Sequence, residues 1–375
     1  MVTYPKDWKE CRINEISIIN PPSEVPSKFK YVDLESVKGV SLLNTRIENK
    51  ATAPSRAQRH AIVGDIFFQT VRPYQRNNYF FDRTDGEYVF STGYAQIRTD
   101  YDSKFLFYVL QKDSFVEEVI NNCTGTSYPA INPKKLGSIK ICIPLDIAEQ
   151  KVIAATLSSF GTHIDNLTTL IEKKKAIRDG ALFDLMSGRT RLAGFSGEWE
   201  ETTLGKKIDV LRGKRLVRSQ LSISSSGKFP VYQNSLLPLG YHEEFNCLPE
   251  SVFVIAAGNA GDIGYSKTAF WAADDCYYFE HDDNIDQKFL CYNFLNRQAE
   301  IYTQTRRTSI PRLSRDILEK IKMRIPPLAE QKAIADTLTS MDTEIQNLEA
   351  ERDKMQAIQA GAMEDLLTGR VRLPM

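Results

Sequence analysis

Ala148–Leu167 reads AEQKVIAATLSSFGTHIDNL, and Ala329–Leu348 reads AEQKAIADTLTSMDTEIQNL. Carried on to Leu192 and Leu373, the two stretches align without gaps, with about 24 of 45 positions identical, far above what unrelated segments of one chain share. The match closes on MSGRTRL from Met186 and LTGRVRL from Leu367. Upstream, TSYPAINPKKLGSIKICIP from Thr126 parallels TSIPRLSRDILEKIKMRIP from Thr308, keeping T-S-x-P, the Lys of I-K and the closing Ile-Pro. KDWKECRINEIS around Trp8 corresponds to GEWEETTLGKKID around Trp199, and KFLFYVL from Lys104 to KFLCYNFL from Lys288. Between these anchors the two halves diverge. The repeat predicts a variable domain over 1–143, a repeated segment over 144–192, a second variable domain over 193–325 and a second repeated segment over 326–375.

The repeated segment has the signals of a long helix. Pro144, Pro326 and Pro327 stand at or before a first turn, Glu149 and Glu330 suit the positive end of the helix dipole, and Gly188 and Gly369 suit a left-handed C-terminal cap. Apolar residues recur at spacings of four and three: Ile153, Leu157, Phe160, Ile164, Leu167 and Ile171 in the first copy, Ile334, Leu338, Met341, Ile345 and Leu348 in the second. Some 40 residues at about 1.5 Å each give a helix about 60 Å long, more than one compact domain of this size can cover. The other copy is the partner at hand, so the spacing predicts an antiparallel pair with Ile153, Leu157, Ile164, Leu167, Ile334, Leu338, Ile345 and Leu348 in its seam. Gly161 and the run Lys173–Lys175 are weak spots in the first copy. The plainer alternative is that each helix packs on the domain that precedes it. A duplicated domain and helix give a pseudo-two-fold arrangement, whose natural target also has two halves, as duplex DNA has.

Composition narrows the class. The 375 residues are 42% hydrophobic and 26% charged, as in an ordinary folded protein, and no apolar run approaches the length of a membrane span. These features predict a soluble, cytoplasmic protein without membrane partners. Cys11, Cys123, Cys142, Cys247, Cys276 and Cys291 form no C-x-x-C pair, and none of the four histidines sits near them at ligand spacing, which predicts reduced thiols and no metal site. The formal net charge is zero, so nucleic-acid binding would rest on local clusters.

The variable domains read as short strands broken by turns, that is, as α/β domains; HAIVGDIFFQTVRP from His60 and SVFVIAAGNAGDIGYSKTAFW from Ser251 are examples. In TVRPYQRNNYFF, Arg72, Tyr74, Gln75, Arg76, Asn77 and Asn78 bring together guanidinium forks, amides and an aromatic ring, groups that pair with guanine and adenine edges in the major groove. The second domain offers Arg212, Lys214 and Arg215 in LRGKRLVRS, Tyr232, Gln233 and Asn234 in FPVYQNS, and Arg306, Arg307, Thr308 and Ser309. The matching loop of the first domain contributes Thr126, Ser127 and Tyr128. Hydroxyls and basic groups of this kind bind phosphates and set register on a duplex.

Two motifs look like active sites and lack the context for one. Asn20-Pro21-Pro22-Ser23 resembles the Asn-Pro-Pro-aromatic motif of amino-methyltransferases, but its fourth residue is Ser and no methyl-donor loop precedes it. Gly258, Gly261 and Gly264 have the wrong spacing for a dinucleotide loop and suit a tight turn between strands. A stand-alone DNA adenine methyltransferase using Asn20-Pro21-Pro22, and a coiled-coil scaffold that binds only proteins, are the competing readings.

The layout resembles the specificity subunit of Type I restriction-modification systems. The resemblance rests on IPLDIAEQKVIAATL and IPPLAEQKAIADTL at the helix starts, LLTGRVRL at the exit, a Trp near the start of each variable domain, and GDIFFQTVRP and GKFPVYQNSLLPLGYHEEF within them. It implies two α/β target-recognition domains separated by two long antiparallel helices, a coiled-coil spacer with a pseudo-two-fold internal repeat. It further implies a non-catalytic chain that reads a split DNA sequence and docks two modification subunits. S-adenosylmethionine would sit on those partners, ATP and Mg on restriction or translocase subunits, and no cofactor on this chain.

Overall fold

The computed structural model describes residues 4–226, 228–305 and 311–374. They divide into two compact units, Met1–Leu167 with Glu351–Met375, and Thr168–Ala350. The division runs through both long helices, Ile147–Ser187 and Leu328–Leu366. Each unit thus holds one variable domain, the N-terminal part of the helix that follows it and the C-terminal part of the other helix.

In the first unit, Trp8–Arg12 pairs antiparallel with Lys140–Pro144, closing the start of the domain on its end. A four-stranded antiparallel sheet runs in the order Ser17–Ile19, Tyr94–Thr99, Ile66–Gln69, Tyr79–Phe80. A second sheet runs Arg46–Asn49, Lys28–Val32, Tyr88–Ser91, Ala57–His60, with one parallel pair between Lys28–Val32 and Tyr88–Ser91. The second unit repeats the plan. Glu200–Thr203 closes on Lys322–Ile325, a sheet runs Val210–Arg212, Cys276–Phe279, Ser251–Ile255, Ile263–Ser266, and a smaller one runs Gly240–His242, Phe229–Tyr232, Trp271–Ala272. Its parallel pair, Phe229–Tyr232 with Trp271–Ala272, occupies the same place in the order. The duplication therefore extends through the diverged sequence, where alignment of residues loses it.

The A-E-Q-K motif ties each helix to two things at once. Gln150, fully buried, donates from Nε2 to the Pro144 carbonyl at 2.8 Å and accepts at Oε1 from Asp102 N at 3.0 Å. Asp102 in turn caps helix Ser103–Val109 through Phe105 N. Gln331 does the same with the Pro326 carbonyl and with Asp286, the cap of helix Gln287–Asn296. The glutamate reaches the exit of the other copy. Arg191 grips buried Glu330 through Nε–Oε1 at 2.5 Å and Nη2–Oε2 at 2.7 Å, with Trp199 Nε1 also donating to Oε2. Arg372 grips Glu149 at 2.6 and 2.8 Å and shares a second pair of contacts with Asp7. Two-pronged guanidinium–carboxylate contacts of this kind suit buried sites, where a lone carboxylate is costly. Gly188 and Gly369, both at φ 70, turn the chain out of the helices toward these arginines.

The long helices run antiparallel within each unit. In the first, Gln359 Nε2 donates to the Leu157 carbonyl and His163 approaches Glu351 at 3.6 Å. In the second, Lys174 meets Glu344 and Lys175 meets Glu349, each at 2.6 Å, and Arg178 meets Asp342 at 3.3 Å. The lysine run that interrupts the apolar stripe is thus matched by carboxylates on the facing helix, and the first helix continues unbroken through Gly161. The seam residues divide their work. Ile153 and Leu157 lie in the core of the first domain together with Leu366 and Leu367, and Ile334 and Leu338 pack with Leu182, Leu185, Phe289 and Tyr292. Leu167 and Ile345 are buried further along, while Ile164 and Leu348 are half-buried. Each helix therefore packs both on its preceding domain and on the other helix, so the two arrangements weighed from the sequence coexist.

Four of the six cysteines are buried, all are free, and burial raises their pKa, to about 12 for Cys247 and about 11 for Cys142. Among the described residues no cluster of His, Cys, Asp or Glu can hold a metal ion, and no helix is long and apolar enough to cross a membrane.

Arg191→Ala strands Glu330, whose side chain is 0% exposed, and is expected to cost about 3 kcal/mol in urea unfolding; Glu330→Gln, which removes the charge, costs less. Leu338→Ala empties an enclosed site and costs about 3 kcal/mol, against about 1 kcal/mol for Leu348→Ala; equal losses would contradict the division of the seam.

Candidate nucleic-acid interface

The strand Ile66–Gln69 leads into a tight turn over Pro73–Gln75, with Arg72 at φ 54 and Arg76 at φ 55 on either side. Side chains other than glycine rarely adopt this left-handed backbone, and two arginines in it mark a site where the surroundings dictate the chain path. The dictating contacts are visible. Arg72 N donates to the Pro129 carbonyl at 2.7 Å, and Val71 bridges to Ala130, so the Thr126–Tyr128 loop is bound to the turn. Buried Gln69 organises the inner side: Nε2 donates to the Val71 carbonyl and to Gln75 Oε1, and Oε1 accepts from Asn77 N.

The second domain builds the same corner from other residues. Ala257 bridges to Arg312, and Gly258, at φ 86, donates from its N to the Pro311 carbonyl at 3.2 Å. Ala257–Gly258 thus corresponds to Val71–Arg72, and Pro311–Arg312 to Pro129–Ala130. Where the first domain forces an arginine into the left-handed region, the second places a glycine, which enters it freely. Asn259 N donates to the Asn234 carbonyl at 3.0 Å, joining the Tyr232–Asn234 segment to this corner. Gly258 and Gly261 form the tight turn between Ser251–Ile255 and Ile263–Ser266 that their spacing suggested, whereas Gly264 lies inside the second strand, paired with Phe253, where only a residue without a side chain fits against that ring.

The side chains singled out from the sequence fall into three groups. Tyr74, Gln75, Thr126, Ser127 and Tyr128 are exposed on the first corner, and the Arg72 guanidinium lies over the Tyr128 ring at 4.3 Å. Arg76 pairs with Asp113 at 2.6 Å beside them. Arg212, Lys214, Arg215 and Asn234 are exposed in the second unit, with Arg212 Nε held by the Asp274 carbonyl and Gln233 half-buried. Other residues face inward. Asn78 is buried and its Oδ1 accepts from Gln69 N, and Asn77 Oδ1 accepts from Gly39 N. Tyr232 stacks on Phe253 at 4.5 Å, and burial raises its phenol pKa. Arg306, Arg307, Thr308 and Ser309 lie outside the described residues. Arg312, one residue beyond the second T-S-x-P, is exposed at the corner and was not singled out; its place in the repeated loop was the available signal.

In the first unit a groove of about 840 Å³ runs beside the corner, with Val40, Arg76, Lys104 and Gly161 on its walls. Lys104 lies over the Phe80 ring at 4.1 Å, and burial lowers its pKa. The Asn-Pro-Pro motif is a strand-edge device: Asn20, at φ 54, donates from N to the Gln96 carbonyl and accepts at Oδ1 from Gln96 N. Its amide is therefore engaged by backbone.

The model of the Type I restriction modification DNA specificity domain matches residues 5–176 and again 196–356. The type I restriction enzyme MjaVIII specificity subunit of Methanocaldococcus jannaschii is 26% identical over 306 residues, covering 72% of this chain and 71% of that one. The solved S subunit of a Type-I restriction-modification system from M. genitalium shares the fold at TM-score 0.67 and 19% identity, over 98% of this chain and 96% of that one. A chain from a structural study of assembly and conformational transition in a type I R-M system shares it at TM-score 0.61 and 18% identity, over 98% and 100%. With two matched domains, a duplicated helix and this fold, the chain belongs to the Type I restriction modification DNA specificity domain family, as a DNA-recognition subunit of a type I restriction-modification system.

Proposed function

We propose that the chain reads a bipartite duplex sequence, each variable domain taking one half through the corner where its left-handed turn meets the proline that ends its T-S-x-P motif. One observation carries this reading: the same corner, held by the same backbone bonds, recurs on two domains whose exposed side chains there differ, Tyr74, Gln75 and Tyr128 around half-buried Arg72 on one and Asn234 and Arg312 on the other. Arginine forks and amides distinguish guanine and adenine in the major groove. Thr126, Ser127, Arg212, Lys214 and Arg215 suit phosphate contacts, which position without reading. The paired helices set the unread gap between the two halves of the target and offer like surfaces to two modification subunits.

In this reading the chain carries no catalysis and no cofactor. S-adenosylmethionine belongs to the modification subunits, and ATP and Mg to restriction or translocase subunits; the site of action is the cytoplasm. The methyltransferase alternative finds no support in the geometry, because the Asn20 side chain is occupied by the Gln96 backbone.

Selection from random duplex pools by the chain assembled with its neighbouring gene products is expected to enrich two short elements at one fixed spacing. Enrichment of a single contiguous element, or of none, would sink the bipartite reading. Arg72→Gly keeps the backbone conformation while deleting the guanidinium, so stability should change by less than about 1 kcal/mol while preference within the first element relaxes. Lys214→Ala should instead weaken all duplexes alike and lower the salt slope of binding by about 1.

A further inference from the structure

The connection between the first two strands of the sheet that holds the parallel pair differs in length between the domains and shares little sequence beyond a Ser-Leu-Leu, Ser41–Leu43 in one and Ser235–Leu237 in the other, yet it ends in an exposed apolar tip in both. In the first domain it joins Lys28–Val32 to Arg46–Asn49, and a two-residue hairpin, Val37–Lys38 with Ser41–Leu42, carries Val40 at 55% exposure and Leu43 at 59%. In the second it joins Phe229–Tyr232 to Gly240–His242, and Leu236, Leu237 and Leu239 stand 42%, 77% and 46% exposed. Scattered apolar residues are normal on a surface; a cluster at the same topological position of two diverged domains is not scatter.

Both tips are fastened to the corners described above. Gly39 N donates to Asn77 Oδ1 at 2.9 Å, and Val40 shares the wall of the groove with Arg76. Asn234, which leads into the second tip, accepts from Asn259 N beside Gly258. The tips are also internally braced. Val37 is 2% exposed and anchors the first hairpin, while Ser235 Oγ donates to the Leu237 carbonyl and accepts from Leu237 N in the second, and Leu239 N donates to the Val231 carbonyl. They are preformed points, ordered before any partner arrives.

We propose that each tip is a DNA wedge: when a corner sits on its half of the target, the adjoining Val40 and Leu43, or Leu236 and Leu237, enter the duplex beside it and unstack a single base step. This rests on the reading of the corners as DNA contacts. Apolar side chains flanked by polar and cationic readers are the equipment of proteins that unstack and kink DNA. A partner that must work on a base outside the helix gains from a step already loosened. The corner's guanidiniums and hydroxyls fit a polyanion, which favours DNA over an apolar protein surface as the occupant.

The test uses the assembled complex on its selected duplex, with 2-aminopurine placed in turn at each step of both elements. Wild type is expected to raise fluorescence several-fold at one step per element. Leu237→Ser should abolish the rise in the second element only, and Val40→Ser with Leu43→Ser in the first only, while the phosphate-dependent salt slope is unchanged. Because these side chains are exposed, circular dichroism and melting should match wild type. A rise unaffected by the tip variants, or no rise on a tightly bound duplex, overturns the wedge and leaves the corner reading standing. Loss of partner subunits from the variant complex also overturns it, marking the tips as protein contacts. Absence of any bound duplex overturns both.

Discussion

Two buried carboxylates hold this fold to its plan. Glu330 has no solvent contact and Glu149 nearly none, so each must be met by a cation inside the protein. The cation comes in both cases from the far end of the other repeat, Arg191 for Glu330 and Arg372 for Glu149. Neither repeat is complete alone: its start is finished by the exit of its counterpart. The neighbouring glutamines fix a helix of the preceding domain through its cap residue, so one tetrapeptide sets the helix, the domain closure and the mate of both. That explains why this segment stays alike when the domains around it have drifted apart.

Above that frame the two domains keep one path of chain with different contents. Buried Gln69 orders the first corner through its amide, whereas Ile255 stands at the matching strand end of the second and cannot bond. Phe67 stacks on Phe90 in one core and Tyr232 on Phe253 in the other. Topology is held by the parallel pair and the closing ladder, so the interior is free to repack and the rim free to vary.

The long helices were legible because a spacing of four and three over many turns has one cheap explanation, and because it is written twice. The role of A-E-Q-K was not legible, since the partners of its glutamates lie 223 and 139 residues away in the chain. The sheets were hard to read for another reason: strands such as Tyr79–Phe80 and Trp271–Ala272 are two residues long, too short to show alternation. Polar clusters revealed chemistry without direction. In a tight turn neighbouring residues face opposite ways, so Gln75 reaches the surface while Asn78 turns inward to serve Gln69. The run Lys173–Lys175 looked like a break in a seam, yet Lys174 and Lys175 pair with Glu344 and Glu349 of the facing helix.

The left-handed position held by Arg72 in one domain and Gly258 in the other behaves as a socket. Its shape is imposed by the carbonyls of Pro129 and Pro311, which accept from the two backbone N–H groups. An exchange there is not symmetric: glycine in place of Arg72 adopts the same backbone freely, whereas a Cβ at Gly258 would meet Asn234 Cβ at 2.8 Å and displace the Tyr232–Asn234 segment. The first domain is therefore freer than the second to change the residue at this point without refolding its corner.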